Sequence, residues 1–360
     1  MDHYVRGKTW ITNQIGEELL KERGAGGNFA YTAEEKAAWR QDPAAYVQYR
    51  RSLELKLQGN YAISQREDPS HAQARASFEQ QMRSRLQAKP EIIEHLIPDF
   101  PPFCKRLTPG PGYLEALASP AVSVIPTPIS HVDATGIWTA DGTHRPVDAI
   151  ICATGFDTTS SGINFPIYGR PDGGATTTTT TSLRAKYAQQ QQPRTYLGLC
   201  TDGFPNFFHA LGPNSFQGAG NLLVTIEAAH AYVARILQRL ATGNVATVEP
   251  KPRAVDLFAR FCEDYFRRTV YTAECGGWYK SAPPGASVEE RKRGRVTALW
   301  PGSSVHALQA LREVRWEDFE VESCDGNEFG WFGNGWTVAD RSGDAEGLTW
   351  YIRDGGLAGS

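Results

Sequence analysis

DAIICATGFD, residues 148–157, sets an unbroken apolar run ahead of a Thr-Gly step. Ala149-Ile150-Ile151-Cys152-Ala153 shows no polar alternation, the pattern of a strand buried on both faces of a parallel sheet. Gly155 carries no Cβ, so the backbone there can come close to a ligand or a crossing loop. In open α/β sheets ligands sit beyond the carboxyl ends of the strands, which makes Ala153, Thr154 and Gly155 candidate cofactor neighbours. Taken alone, ATGF fits a tight strand-to-loop turn with no ligand more simply.

Outward from this stretch the hydrophobic period changes twice. On the N-terminal side Val122, Val124 and Ile129 alternate, and Gly136-Ile137-Trp138 with Asp141-Gly142 predicts short strands joined by a hairpin turn. Residues 32–96 read as helical. Thr32 with Glu35 has capping-box spacing, and Asp42-Pro43 restarts a helix because proline is tolerated in a first turn. Tyr46, Tyr49, Leu53 and Leu57 share a face that Gly59 ends, and a third helix from about Ser70 aligns Phe78, Met82 and Leu86 before Pro90. His3 to Val5 reads as the end of a strand, so the expectation is that sheet residues precede Met1, unless these residues are a disordered start.

On the C-terminal side, threonines 176–181 read as an exposed loop insertion, and Leu199 onward as another strand. Leu222, Leu223, Ile226, Ala229, Val233, Ile236 and Leu240 predict a strong amphipathic helix. A last helix near 252–268 would place Phe258, Phe261, Cys262 and Tyr265 on one face, and the tail from Cys324 has no periodicity.

Composition narrows the function classes. With 360 residues, 41% hydrophobic and 21% charged, the chain can build two domains, or one with a large insertion. A net charge of -3 and a pI near 6.3 give no global attraction to nucleic acid or anionic membrane. No apolar run approaches a bilayer span and the first residues lack a signal-peptide pattern. Cys104, Cys152, Cys200, Cys262, Cys275 and Cys324 form no CxxC pair, which argues against a zinc site or a disulfide framework and makes a reducing cytoplasm the expected compartment. GxSxG and HExxH are absent and the eight histidines lack ligand spacing, so neither a hydrolase nor a metal site is expected.

Four more segments carry chemistry: FCKRLTPGPGYLEAL (103–117), TYLGLCTDGFPNFFHALGPNS (195–215), CGGWYK (275–280) and GRVTALWPGSSVH (294–306). Together with DAIICATGFD, in this order and spacing, they resemble the flavin-dependent monooxygenases of the Baeyer–Villiger type, nearest to those of fungal-type secondary metabolism. The resemblance runs over roughly residues 3 to 320. It implies an α/β fold: an incomplete two-dinucleotide-binding-domain (Rossmann-like) flavoprotein with a helical insertion. The expected division is a remnant of the NADPH-binding domain (1–12), the insertion (13–100), the rest of that domain (101–155), part of the FAD-binding domain (156–322) and a tail (323–360).

The resemblance also implies an activity. Such enzymes use NADPH to reduce FAD and react it with oxygen, giving a peroxyflavin that converts a ketone to an ester or lactone. Arg106 matches the arginine that stabilises this negatively charged species, a fitting choice because guanidinium stays protonated and offers directed donors. Lys105 and Arg6 match positions that grip the 2′-phosphate of NADPH and would have to converge across the helical insertion. Trp278 matches an aromatic residue lining the nicotinamide pocket, though its type fits a core position equally well. Asn214 and Gly220 fall where the family's chain passes under the flavin ring; Gln217-Gly218-Ala219-Gly220 lacks a third glycine and is no dinucleotide loop. Neither GxGxxG loop nor the FxGxxxHxxxW pattern of the family occurs in the sequence. The expectation is therefore an N-terminally truncated chain of such an enzyme, with an inert remnant, a partner of a separately encoded N-terminal half, or a heteroatom-oxidising flavin monooxygenase as the alternatives.

Overall fold

Two short parallel pairings close the base of the helical segment. In the computed structural model, which describes residues 1–13, 16–25, 28–59, 61–155, 165–171, 180–190, 192–283, 285–353 and 356–357, strand Asp2–Tyr4 runs beside Ser123–Ile125 and Ile11–Thr12 beside Thr108–Pro109. The helices between them begin as their caps dictate. Thr32 and Glu35 complete a capping box on helix Ala33–Gln41, and Asp42 caps Pro43–Gln58 through the N–H groups of Ala44 and Ala45. Helix Pro69–Arg85 buries Met82 completely and ends against Leu86. These side chains meet Trp10, Ile11, Leu96, Leu114 and Leu117 in one core, so the N-terminal strands, the helices and the segment after Pro101 fold as a unit.

A second core forms where helix Leu222–Thr242 lies on the antiparallel pair Val245–Pro250 and Phe319–Ser323. Its buried face is Thr225, Ala229, Tyr232 and Ile236, while Leu223 stands 70% exposed. The inward stripe is thus rotated from the aliphatic one, because Tyr232 fills the space beside Tyr196 and Leu199. Helix Pro252–Phe266 likewise buries Val255, Cys262, Tyr265 and Phe266, and leaves Phe261 half exposed. A third core joins Cys262, Tyr265, Phe266, Tyr271, Tyr279 and Leu299.

The helices from Ala33 to Arg85 and the turn between them are tied to these later elements by polar contacts. Tyr61 and Tyr265 hydroxyls hydrogen-bond each other, and Arg66 donates to the Thr269 carbonyl and the Thr272 hydroxyl. Asn221, which caps the long helix, donates to Glu54 at 2.5 Å, and Ser304 donates to Gln58 at 2.5 Å. Gly220 sits between these contacts at φ 98°, and a Cβ there would lie 2.2 Å from Ser304 Oγ. Gly220→Ala is expected to cost about 1–3 kcal/mol of unfolding free energy through overpacking and backbone strain, read by urea denaturation. A midpoint unchanged from wild type would refute this account of the glycine.

Several expectations are corrected. Ala149–Ala153 is no buried strand: it has no sheet partner among the described residues, and Ile151 is 87% exposed. A buried apolar strand needs neighbours on both edges, and here none is supplied. Phe156 and Asp157 lie outside the described residues. Leu199 belongs to a tight turn rather than a strand: Tyr196 bridges Cys200, with Leu197 and Gly198 at positive φ. Of the threonine tract, Thr180–Ser182 pairs with Tyr168–Pro171, and residues 176–179 lie outside the described residues. The three-stranded hairpin sheet Ile129–Val132, Gly136–Thr139 and His144–Pro146 agrees with its turn signals, Gly142 taking φ 83°.

Candidate cofactor site

Phe103 has φ 67°, a left-handed backbone unusual for a bulky residue, and this turn delivers the next three residues in different directions. Cys104 points inward and is fully buried, Lys105 is half-buried, and Arg106 is exposed. Thr9, Lys105, Arg106, Gly276, Gly277, Trp278 and Tyr279 line a pocket of about 240 Å³. Lys105 crosses it toward the N-terminal strand: its Nζ donates to the Lys8 carbonyl at 3.1 Å and lies 5.1 Å over the Phe100 ring. A Cβ on Gly7 would sit 3.9 Å from that ammonium, and one on Gly277 3.4 Å from Lys105 Cγ. Lys8 and Lys105, 97 positions apart in sequence, therefore meet here; Arg6 is exposed and does not line the pocket.

On the opposite wall Trp278 is 42% exposed and packs edge-on against Phe216 (5.0 Å) and Tyr279 (4.7 Å). It is a pocket wall, not a core residue. Burial, with Lys292 adding repulsion, draws the Lys105 pKa down. Burial raises that of Tyr279, and the Arg106 charge works against the rise. Lys280 is drawn down to about 8 by burial, Glu274 opposing, while its ammonium donates to the carbonyls of Ala273 and Lys292. Lys105 is thus partly stripped of water, which strengthens its attraction to an anion, while Arg106 stays exposed at the rim.

The other candidates lie elsewhere. Asn214 is buried at φ 61° and spends both amide hydrogens on the carbonyls of Val296 (3.2 Å) and Leu299 (2.9 Å). Gly220 is occupied by its packing against Ser304. Ala153, Thr154 and Gly155 are exposed, with Gly155 at φ 85° and open space where a Cβ would go. Lys105 and Arg106 place two cations on one pocket; the flavin positions form no such cradle on this chain. A larger hollow of about 480 Å³, lined by Phe165, Tyr168, Leu183 and Tyr187 among others, contains none of the candidate residues.

One bond was missed in the sequence. Cys104 and Cys275 form a disulfide, correcting the expectation that the scattered cysteines stay unpaired. Their spacing gave no cue, since 171 residues separate them. The available signal was position: each cysteine immediately precedes a pocket segment, in CKR and in CGGW.

No protein-family model matches the chain. It is 31% identical over 343 residues to the FAD-binding monooxygenase stcW of Emericella nidulans, covering 95% of this chain and 53% of that protein. Against the FAD-binding monooxygenase tazF of Aspergillus terreus it is 31% identical over 344 residues, 96% of this chain and 58% of that one. A Baeyer–Villiger monooxygenase of Streptomyces coelicolor is 29% identical over 64% of this chain and 41% of its own length. Among solved structures, the fold is shared with cyclohexanone monooxygenase from Rhodococcus bound to NADP+, at TM-score 0.70 and 20% identity over 90% of this chain and 62% of that one. A steroid monooxygenase bound to NADP superposes at TM-score 0.63 and 24% identity, over 89% and 61%. The chain spans about half the length of the curated fungal relatives it matches. No described helix is long and apolar enough to cross a membrane. Identity of 31% sustained along almost the whole chain makes it similar to about half of each fungal FAD-binding monooxygenase it matches, on a Rossmann-like fold shared with cyclohexanone and steroid monooxygenases.

Proposed function

We propose that this chain supplies the NADPH-gripping cations and the pocket arginine of an FAD- and NADPH-dependent monooxygenase. In this reading the enzyme converts a ketone to an ester or lactone in secondary metabolism, with oxygen as co-substrate. The observation that carries the reading is that Arg106 and Trp278 line one pocket whose floor, Lys105, reaches the Gly7–Lys8 backbone. Lys105 and Arg6 hold the 2′-phosphate, Trp278 gives the nicotinamide an apolar face, and Arg106 directs a permanent positive charge at the reacting centre. FAD, when bound, supplies the oxygen chemistry. Its matched positions on this chain are committed to packing or exposed, so no step is assigned to them.

A second reading is favoured by the exposed apolar run at Ala149–Ala153. A dinucleotide-binding half, carried on another segment or chain, would add strands beside this run and bring the glycine loops that cradle the pyrophosphates.

Calorimetric titration with NADP+ and NAD+ tests the phosphate grip. The chain should prefer NADP+, and Lys105→Ala should cut that preference about tenfold, the worth of one charge-assisted contact. Equal affinity for the two nucleotides in the unsubstituted chain would sink the assignment.

A further inference from the structure

The pocket has two walls that come from distant parts of the chain, and a single covalent bond joins them. One wall is Lys105–Arg106; the other is Gly276–Tyr279. Cys104 and Cys275 stand one residue before each, with Cα atoms 6.2 Å apart. Beyond this bond, the first wall is held by the parallel pairing at Thr108, the Lys105 contact to Lys8 and the packing of Phe103 against the core that contains Tyr279. The second is held by the two-residue pairing of Lys280–Ser281 with Arg295–Val296 and by Lys280. Such short pairings are weak positional restraints.

We propose that Cys104 and Cys275 are a redox-dependent positioning clamp, which as a disulfide fixes Arg106 and Trp278 on facing walls of one pocket and as a dithiol lets the walls part. Two features support it. Both cysteines are sealed from solvent, at 0% and 1% exposure, so the bond persists until the loop opens and a thiol reductant can reach a sulfur. The remaining cysteines take no part: Cys200 and Cys262 are buried in other cores, and Cys152 and Cys324 are exposed singly.

The chemistry is ordinary thiol–disulfide exchange with a small-molecule dithiol. Its thiolate attacks one sulfur, the Cys–Cys bond breaks, and the departing cysteine takes a proton. The second thiol of the reductant then resolves the mixed disulfide. Two electrons pass to the protein, which ends as two thiols, and the reductant ends as its own cyclic disulfide.

The nucleotide consequence rests on the pocket reading above; the clamp does not. The experiment compares the full chain isolated without reductant, the same chain in dithiothreitol, and the double variant Cys104→Ala with Cys275→Ala. Alkylation and peptide mapping should find a Cys104–Cys275 linked peptide before reduction. Hydrogen exchange should then rise about tenfold at residues 101–109 and 273–281 in reductant, and stay unchanged at Val245–Pro250. The double variant should match the reduced chain and ignore dithiothreitol. NADP+ affinity should fall about tenfold on reduction, since a site held less firmly binds less well.

Full alkylation of all six cysteines before reduction overturns the proposal. So does unchanged exchange at the two walls, or exchange that rises evenly through every core, which is what a purely structural crosslink would give. If the double variant does not fold, the oxidised and reduced wild-type chains decide alone. Equal NADP+ affinity in both states also overturns the clamp. Absence of NADP+ binding in either state removes the nucleotide reading instead and leaves the exchange result to judge the clamp.

Discussion

Replacing Trp10 with alanine is expected to remove about 3–5 kcal/mol of unfolding free energy, the usual loss for a fully buried aromatic side chain. Trp10 is 1% exposed and packs with Met82, Leu86, Leu96 and Leu114, residues from the helical insertion and from the segment beyond it. Its indole N–H donates to the Phe100 carbonyl at 3.0 Å, so the substitution also orphans an acceptor. The backbone matters as much as the ring, because the Trp10 carbonyl accepts from Thr108 N–H at 3.0 Å and fixes the Ile11–Thr108 register. Thr9 and Lys8, next in the chain, form part of the pocket and hold Lys105. Loss of stability and loss of nucleotide affinity should therefore go together in this variant. Urea titration gives the first and calorimetry the second, with Leu55→Ala, on a side chain 74% exposed, as the neutral control. A loss below about 1 kcal/mol would mean that this core does not set the position of the N-terminal strand.

What the sequence made legible was local. Caps at Thr32 and Asp42, the Met82–Leu86 stripe and the Asp141-Gly142 turn are short-range rules, and each is met by its own neighbours. What it hid depends on distant partners. The apolar run at 149–153 has the composition of a central strand, yet a strand is defined by what lies beside it, and no described strand does. Leu199 fails for the opposite reason. Its apolar neighbours are buried by a turn in which Leu197 and Gly198 take positive φ, a geometry that period alone does not reveal. At the site, the motif CKR identified the pocket segment, but the disulfide could not be read because its partner lies 171 residues on. Asn214 and Gly220 show a further limit. Residues matched to a ligand position also have neighbours to satisfy, and here those neighbours are Val296, Leu299 and Ser304.

The same segment, TYLGLCTDGFPNFFHALGPNS, holds a histidine whose titration should govern stability in mild acid. Burial pulls the His209 pKa from its ordinary value of 6.5 to about 4. Its Nε2 has no hydrogen-bond partner, and Gly212 approaches so closely that a Cβ there would lie 2.4 Å from that atom. A proton on the ring would be neither hydrated nor paired. Between pH 6.5 and 4 the unfolded chain binds this proton and the folded chain does not, so stability is full above 6.5 and falls as the pH drops through that window. Integrated over the shift, the loss is about 3 kcal/mol. The carboxylates act lower: Glu115, held down to about 2 chiefly by its hydrogen bond from Arg85, contributes stability that disappears only as pH falls below its unfolded value of 4.5. His209→Gln should therefore flatten the stability profile between pH 4.5 and 6.5 and leave the steeper acid limb in place. Urea midpoints at half-unit pH intervals separate the two limbs. A variant that keeps the wild-type slope above pH 4.5 would show that the proton is taken up elsewhere, and that the surroundings of His209 tolerate a charged imidazole.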